Sequence, residues 1–421
     1  MDVKVLLLGS GGREHALAWK LSRSPRLTRL LCAPGNPGTA KLGTNVPLRA
    51  DAPEEVAAFA KRESVDLVVV GPEAPLVAGV ADALADVGIA CFGPVAAGAR
   101  IEGSKAFAKD IMAEAGVPTA AFRTFTDVAA AEAYAVAQGR IVVKADGLAA
   151  GKGVIVAHDV AAARAAVRAV GAMGVAGQTM VLEELLEGEE VSAMALCDGE
   201  RYAMLPLSQD HKRVGEGDTG PNTGGMGAYS PAPFLSAEQL AEVGERVVAP
   251  TLAVLRRRGI PFRGVLYAGL MLTRSGPKVL EFNARFGDPE TQVLMMQLGE
   301  DLLPLLDACA RGTLTPRTLV SAPGASVGVV LAARGYPDAP EKGQRIEGLD
   351  AVPPDATVFL AGVGARDGEL VTAGGRVLTV CARGEDLARA RERAYAAAAA
   401  VRFEGMHFRR DIGARGMKGA P

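Results

Sequence analysis

No stretch of this 421-residue chain approaches twenty consecutive apolar residues, and no basic patch followed by an apolar run stands at its start. Neither a membrane-spanning helix nor a secretory leader is expected. A dominant charge sign is also missing. The formal net charge of -2 argues against a general nucleic-acid or membrane-surface binder. Cysteine is scarce: the five (Cys32, Cys91, Cys197, Cys309, Cys381) are dispersed and odd in number, without a CxxC pair. Neither a zinc site nor a disulfide framework is indicated. The four histidines are scattered too, so no Ser/His/Asp arrangement can be argued. Met1 leads within a few residues into an apolar strand, which fits a cytoplasmic protein.

What is present is ordinary in bulk, with 49% hydrophobic and 22% charged residues. The chain is too long for one core, and two to four domains are expected. Residues 3–8 read as a buried strand, and Gly9-Ser-Gly-Gly12 opens a helix over 13–22. A second strand at 29–33 ends in Pro34-Gly-Asn36-Pro-Gly. A helix at 54–63, a strand at 66–70, the loop Gly71-Pro-Glu73, a helix at 77–87 and a strand at 89–92 follow. This alternation predicts a parallel sheet with helices on both faces. Ligands of such sheets bind outside the carboxyl ends of the strands, where the three Gly/Pro loops lie. A helix over 104–115 is capped by Ser104 and stopped by Gly116 and Pro118. Residues 119–191 read as short strands around one helix (160–170). Residues 192–320 hold further strands and two helices, with an irregular polar segment over 209–230. Beyond 325 come short strands and one helix, 385–401. The expected layout is α/β and α+β multidomain. A parallel α/β domain spans 1–103, a central unit 104–325 with its own subdomain at 119–191, and a small mixed β/α domain 326–421.

Residues 278–292 form the densest polar constellation. A strand over 279–282 carries Glu281, Asn283 and Arg285 at i, i+2 and i+4, so all three share one face. A carboxylate and an amide oxygen are hard donors, suited to Mg²⁺ that also holds phosphate. Arg285 beside them suits a planar carboxylate or a phosphate. Gly287-Asp288-Pro289-Glu290 turns the chain into a helix over 291–298.

Four other segments carry chemistry. Gly9-Ser-Gly-Gly12 is GxGG rather than GxGxxG, and the second strand lacks the acid that would hold an NAD ribose. A phosphate or sugar phosphate at the helix N-terminus stays open beside a ligand-free turn. Val142-Val-Lys144-Ala-Asp-Gly147-Leu-Ala-Ala-Gly151-Lys152-Gly153 lacks Walker spacing and has strand-like flanks, so it reads as a hairpin. Such a tip either closes over a triphosphate or is a flexible surface loop. Lys144 favours the first, because burying an ammonium without an anion is costly. Glu183, Glu184, Leu186 and Glu190 fall in a crowded acidic turn, either solvated or a hinge for adenine and ribose. The run from Gln209 to Pro231 is too polar and glycine-rich to pack as an element; it is a functional loop or a disordered one.

Together these segments resemble the ATP-grasp ligases, and more narrowly the phosphoribosylamine–glycine ligase family. Arg285-Phe-Gly-Asp-Pro-Glu-Thr-Gln292 and the Gly217–Pro231 loop carry the narrower likeness; the hairpin and hinge carry the wider one. The resemblance implies a pre-ATP-grasp domain, an ATP-grasp domain and a C-terminal domain. It implies that ATP phosphorylates glycine and that 5-phosphoribosylamine attacks the glycyl phosphate, giving glycinamide ribonucleotide, ADP and phosphate. Glu281 and Asn283 would hold Mg²⁺ or Mn²⁺. Lys144 and Lys152, with Gly151 and Gly153, would face the phosphates. Lys105 would join them, because a cation in a first helical turn opposes the helix dipole unless an anion is near. Glu183 would meet the adenine amino group, the main chain at Glu184 and Leu186 the ring, and Glu190 the ribose. Arg285 would take the glycine carboxylate or its acyl phosphate and Asp218 the ammonium, with Asp288 and Pro289 beside them. The catalytic set would be Arg285, Lys144 and Asp218. Phosphoribosylamine would lie against Gly11, Asn36 and Glu73, its 5-phosphate near Arg409-Arg410 unless that pair is solvated. The implied partners are the small substrates, with no nucleic acid and no membrane, and a transient contact with the enzyme supplying phosphoribosylamine. Two departures stand out. The strand 265–270 lacks the second acidic metal ligand of many ATP-grasp enzymes. Residues 358–363 (Val-Phe-Leu-Ala-Gly-Val) stand where relatives often show His and Thr, and are read as structural.

Overall fold

The computed structural model describes residues 2–147 and 153–418. Gly151 and Lys152 of the expected hairpin tip lie outside the described residues. The N-terminal sheet is parallel, with order Thr44–Asn45, Leu27–Pro34, Val3–Gly9, Leu67–Val70, Ala90–Phe92. Apart from Lys4, its central strands are apolar because helices cover both faces. The two-residue edge strand was not expected; it is too short to leave a pattern. The helix expected at 77–87 is two helices, Glu73–Ala78 and Val80–Asp86, parted by Gly79 in the left-handed region. The first begins at Glu73, which puts that carboxylate at the end of the sheet.

In the central unit, Phe122–Phe125, Met180–Glu183, Ile141–Ala145 and Val154–Ala157 form an antiparallel sheet in that order. The last two are the expected hairpin. Two helices cover this sheet, not one: Val160–Gly171 and also Val128–Gln138. The second is alanine-rich on every side, which blurs the apolar stripe that periodicity reads; Asp127 caps it. A second antiparallel run joins Gly276–Asn283, Arg263–Thr273 and Glu189–Asp198. The helices of residues 192–320 also exceed the expected two. Ala237–Val243 runs through a π-helical turn into Ala249–Arg257, and Glu290–Gln297 and Leu302–Arg311 follow.

The segment 209–230 is not irregular. Its strands Gln209–Asp210 and Gly227–Ser230 extend a sheet completed by Ala325–Ala332, Arg376–Gly384 and Ala356–Leu360. The C-terminal sheet thus reaches into the middle of the chain. Helix Glu290–Gln297 is buried on all sides, between the N-terminal helix Gly12–Leu21 and this sheet. Its polar residues survive burial through bonds of Glu290 to Ser192 and Tyr267, Gln292 Nε2 to Asp288, Thr291 to the Gly287 carbonyl and Gln297 Nε2 to the Gly324 carbonyl, although the Gln292 and Gln297 side-chain oxygens accept no hydrogen bond among the described residues.

The segment 358–363 ties the two ends of the molecule together. The Leu360 N–H donates to His15 Nδ1 at 2.8 Å, and the Leu360 carbonyl accepts from Asn36 Nδ2 at 2.8 Å. The Phe359 ring meets His15 edge-on at 5.6 Å. Burial, with the Lys41 charge adding, drives the imidazole from 6.5 down to about 4. Because Nδ1 accepts a backbone N–H, a proton there would break the contact. The folded value lies below the ordinary one, so the unfolded chain binds this proton first as pH falls. The contribution is complete above pH 6.5 and falls away towards pH 4, by which point the loss amounts to about 3 kcal/mol. Denaturant unfolding between pH 7 and 4 is expected to show this slope, and His15→Gln to flatten it; equal slopes would contradict the assignment.

Candidate active site

Strand register builds the site. Glu189–Asp198, Arg263–Thr273 and Gly276–Asn283 place Ser192, Gly269 and Glu281 in one row, and Met194, Tyr267 and Asn283 in the next. A side chain on Gly269 would come within 3.4 Å of Glu281 Cγ, so the missing side chain there gives the Glu281 carboxylate its room. Glu281 accepts no hydrogen bond among the described residues, and its side chain is 37% exposed. Lys212 Nζ stands 3.9 Å away. Burial pushes the Glu281 carboxyl up, but Lys212, Lys144, Lys105 and Arg285 together outweigh it and hold the group below its usual range. Each of three of these cations also has a carboxylate of its own: Glu190 for Lys212, Glu183 for Lys144, and Glu102 and Glu73 for Arg285.

Arg285 lies just past the strand end and gathers groups from three places. Its guanidinium meets Glu102 Oε1 at 2.8 Å, Glu73 Oε2 at 3.3 Å, the Phe286 carbonyl at 3.2 Å and Asn283 Oδ1 at 3.4 Å. Burial raises the Glu73 carboxyl, yet Arg285 brings it below the usual range; Glu102, more deeply buried, stays above it. Asp288 bridges further: Arg376 Nη2 reaches it at 3.0 Å and Gln292 Nε2 at 2.7 Å. Arg376 also donates to the carbonyls of Asp288 and Gly224, so the C-terminal sheet grips the glycine loop. Gly225, with φ of 112°, lies so close to Pro289 Cδ that a Cβ would stand 2.4 Å from it.

Beside the hairpin, Lys105 Nζ donates to the Gly147 carbonyl at 3.1 Å, and burial lowers its amine. Lys144 Nζ donates to the Leu280 carbonyl at 3.0 Å, next to Glu281, and Glu183 Oε1 lies 2.9 Å from it. Gly153 pairs back to Ala145. Glu184 bonds the Ala121 main chain, Leu186 is buried, and Glu190 pairs with Lys212. Gly11 donates to Glu14 Oε2 at 2.6 Å beside an open cleft of about 660 Å³ at the sheet's carboxyl end, lined by Ser10, Pro34, Arg49, Pro72 and Ala74.

Three of the expected residues already have partners within the protein. Both Nδ2 hydrogens of Asn36 go to the Ser10 and Leu360 carbonyls, and its Oδ1 accepts from Gly38 and Thr39. It pins the loop and has no donor left for a substrate. Asp218 is held by Arg409 at 2.9 Å and Arg415 at 2.8 Å, so two guanidiniums already offset the charge assigned to an ammonium. Arg409 is neither solvated nor open to a phosphate: it is buried against Asp218 and Asp411.

Other residues had no role assigned from the sequence. Lys212 and Asp210 lie two apart on one face of the 209–213 segment, and that period was readable. Burial lifts the Asp210 carboxyl to about 8, Lys212 opposing and Glu290 and Glu190 adding. Glu102 and Arg376 reach the site from distant segments, and nothing in their local sequence marks them.

The donor set tests the metal directly. Among the described residues no group of three or more His, Cys, Asp or Glu could hold an ion. Glu281 and Asn283 offer two hard oxygens on one face, which fits an ion that completes its shell with phosphate and water.

Family models for phosphoribosylglycinamide synthetase match in three pieces: the N domain over residues 3–102, the ATP-grasp (A) domain over 103–291 and the C domain over 326–415. The chain belongs to the phosphoribosylglycinamide synthetase family. Among its relatives, the phosphoribosylamine–glycine ligase of Rhizobium meliloti is 52% identical over 416 residues, 98% of each chain. That of Pseudomonas aeruginosa is 51% identical over 421 residues, again 98% of each. The crystal structure of the Thermotoga maritima phosphoribosylamine–glycine ligase superposes with a TM-score of 0.84 at 36% identity, covering 97% of this chain and 100% of that one. A wider likeness is to the biotin carboxylase domain of Hydrogenobacter thermophilus 2-oxoglutarate carboxylase, solved with MgADP and bicarbonate. Its TM-score is 0.75 at 18% identity, with 97% of this chain and 92% of that one covered, which shows a shared fold. Membership in the phosphoribosylglycinamide synthetase family accounts for the three-part layout. Among the described residues, no helix of this family member is long and apolar enough to cross a membrane.

Proposed function

We propose that this chain joins glycine to 5-phosphoribosylamine at the expense of ATP, through glycyl phosphate, to give glycinamide ribonucleotide, ADP and phosphate. The observation that carries the reading is the part-exposed Glu281 carboxylate, which accepts no hydrogen bond among the described residues, beside Asn283 and under the charge of Lys212, Lys144, Lys105 and Arg285. Such a site is complete once a polyphosphate and a divalent ion enter it. Full-length similarity to phosphoribosylamine–glycine ligases supplies the substrates. This is a step of purine synthesis and is proposed to run in the cytoplasm.

Glu281 and Asn283 would hold Mg²⁺ or Mn²⁺, which supplies charge neutralisation at the transferred phosphoryl group. Lys105 and Lys144 face the phosphates from one side of that strand and Lys212 from another. Glu184, Leu186 and Glu190 border the nucleoside, as does Glu183 through its unbonded Oε1. Arg285 orients the glycine carboxylate by exchanging its long contact to Glu73 for the substrate. The cleft at Gly11 receives the sugar phosphate, which brings the amine to the acyl carbon from the N-terminal side. Asp288, held by Arg376 and Gln292, closes the seam between them.

An ADP-release assay tests the reaction. Glycine plus phosphoribosylamine should raise ADP formation far above that with ATP alone, and omission of either substrate should abolish glycinamide ribonucleotide. Equal ADP release with and without the pair would end the assignment.

A further inference from the structure

We propose that Lys109 is a buried counter-ion whose role is to cancel the charge of Glu183, so that Lys144 keeps a full positive charge for the phosphates. Lys105 and Lys109 are four apart on the helix Lys105–Ala115 and so share a face. Ser104 fixes that helix start by accepting the Phe107 N–H. Lys105 points to the hairpin, and Lys109, only 2% exposed, points beneath it. The Lys109 ammonium donates to Thr119 Oγ1 at 2.7 Å and lies 3.1 Å from Glu183 Oε2. Thr119 passes the link on, donating to the Val279 carbonyl at 2.6 Å. Glu183 Oε1 lies 2.9 Å from the Lys144 ammonium, which also donates to the Leu280 carbonyl at 3.0 Å.

Three buried charges therefore stand in a row, two positive and one negative. Were Lys109 absent, Lys144 and Glu183 would neutralise one another, and a close buried pair exerts little field beyond itself. With Lys109 in place the row keeps one unit of positive charge. The two carbonyls that hold the row, Val279 and Leu280, belong to the strand of Glu281, so this charge is fixed relative to the metal-binding carboxylate. Burial lowers the Lys109 amine to about 8, with Glu183 opposing, which leaves it protonated at neutral pH. A plain structural strut would need no charge here: a methionine would fill the same space.

The inference rests on the ATP reading but is tested by binding alone, without glycine or phosphoribosylamine. The readout is the ratio of affinities for MgATP and for adenosine, measured by equilibrium competition on the full chain. Lys109→Met is expected to lower that ratio about tenfold, the size of one charged interaction. Adding Glu183→Gln in the same chain should restore most of the ratio, since the uncancelled carboxylate is then gone. Lys109→Arg should retain it. Glu183→Gln alone should raise the ratio, a result that stays decisive if Lys109→Met does not fold. An unchanged ratio in Lys109→Met, no recovery in the double variant, or a fall in Glu183→Gln alone would each overturn the counter-ion role, leaving the ligase assignment untouched.

Discussion

Glu281→Ala is expected to lower ATP-dependent turnover by about a thousandfold or more, the scale of removing a metal or charge-stabilising group from a phosphoryl-transfer site. Its thermal transition should move by less than about 3 °C, since surface changes away from bonded networks are small. The two halves of this expectation come from one observation. The Glu281 carboxylate is part-exposed and accepts no hydrogen bond among the described residues, so the fold does not depend on it. Four cations nevertheless converge on it. Lys105, Lys144 and Lys212 remain in the variant to attract a polyphosphate without help from a metal. The variant should therefore still bind ATP but lose the dependence of that binding on Mn²⁺, a readout independent of activity. Turnover within about tenfold of the parent, or unaltered Mn²⁺ dependence, would remove Glu281 from the metal site.

How far this site could be read from the sequence depended on distance along the chain. Glu281, Asn283 and Arg285 were legible because a strand's two-residue period is local and the polar cluster is dense. Lys144 stood out as a charge at the end of an apolar strand. Lys109 carried the same kind of signal, four residues after Lys105 on a capped helix, but an isolated lysine on a helix reads as solvated. Glu102 and Arg376 could not be found that way. Each reaches Arg285 or Asp288 only through tertiary packing, Glu102 from the helix Ala96–Gly103 against the strand Gly276–Asn283 and Arg376 from the C-terminal sheet. Three further residues have internal partners that the sequence did not reveal. Asn36, Asp218 and Arg409 are polar groups in glycine-rich or terminal segments, where a free functional group and a structural pin look alike in sequence. The hydrogen-bond count separates them: Asn36 has no donor left, and Asp218 and Arg409 hold each other. The alanine-rich helix Val128–Gln138 was lost for a different reason, because alanine on every face gives periodicity nothing to grip.

Arg285→Met carries the second large expectation, and it has two parts that must be separated. The guanidinium is the partner of Glu102, whose side chain is 7% exposed, and of Glu73 across the domain seam. Removing one partner of a buried pair leaves an uncompensated charge, at a cost of about 3 kcal/mol or more. The same substitution should raise the glycine concentration needed for half-maximal turnover about a hundredfold, because a planar fork that holds a carboxylate by two bonds is lost. Loss of stability alone could lower activity, so the single variant does not decide between strut and substrate site. Adding Glu102→Gln decides it. Glutamine keeps the shape of Glu102 and can still accept the Ala284 N–H, but it carries no charge to be stranded. In the double variant the unfolding free energy should return most of the way to the parent's, while glycine saturation stays impaired and MgATP affinity stays near the parent's. Recovery of glycine saturation together with stability would mean that Arg285 only braces Glu102 and Glu73, and that the glycine carboxylate is bound elsewhere.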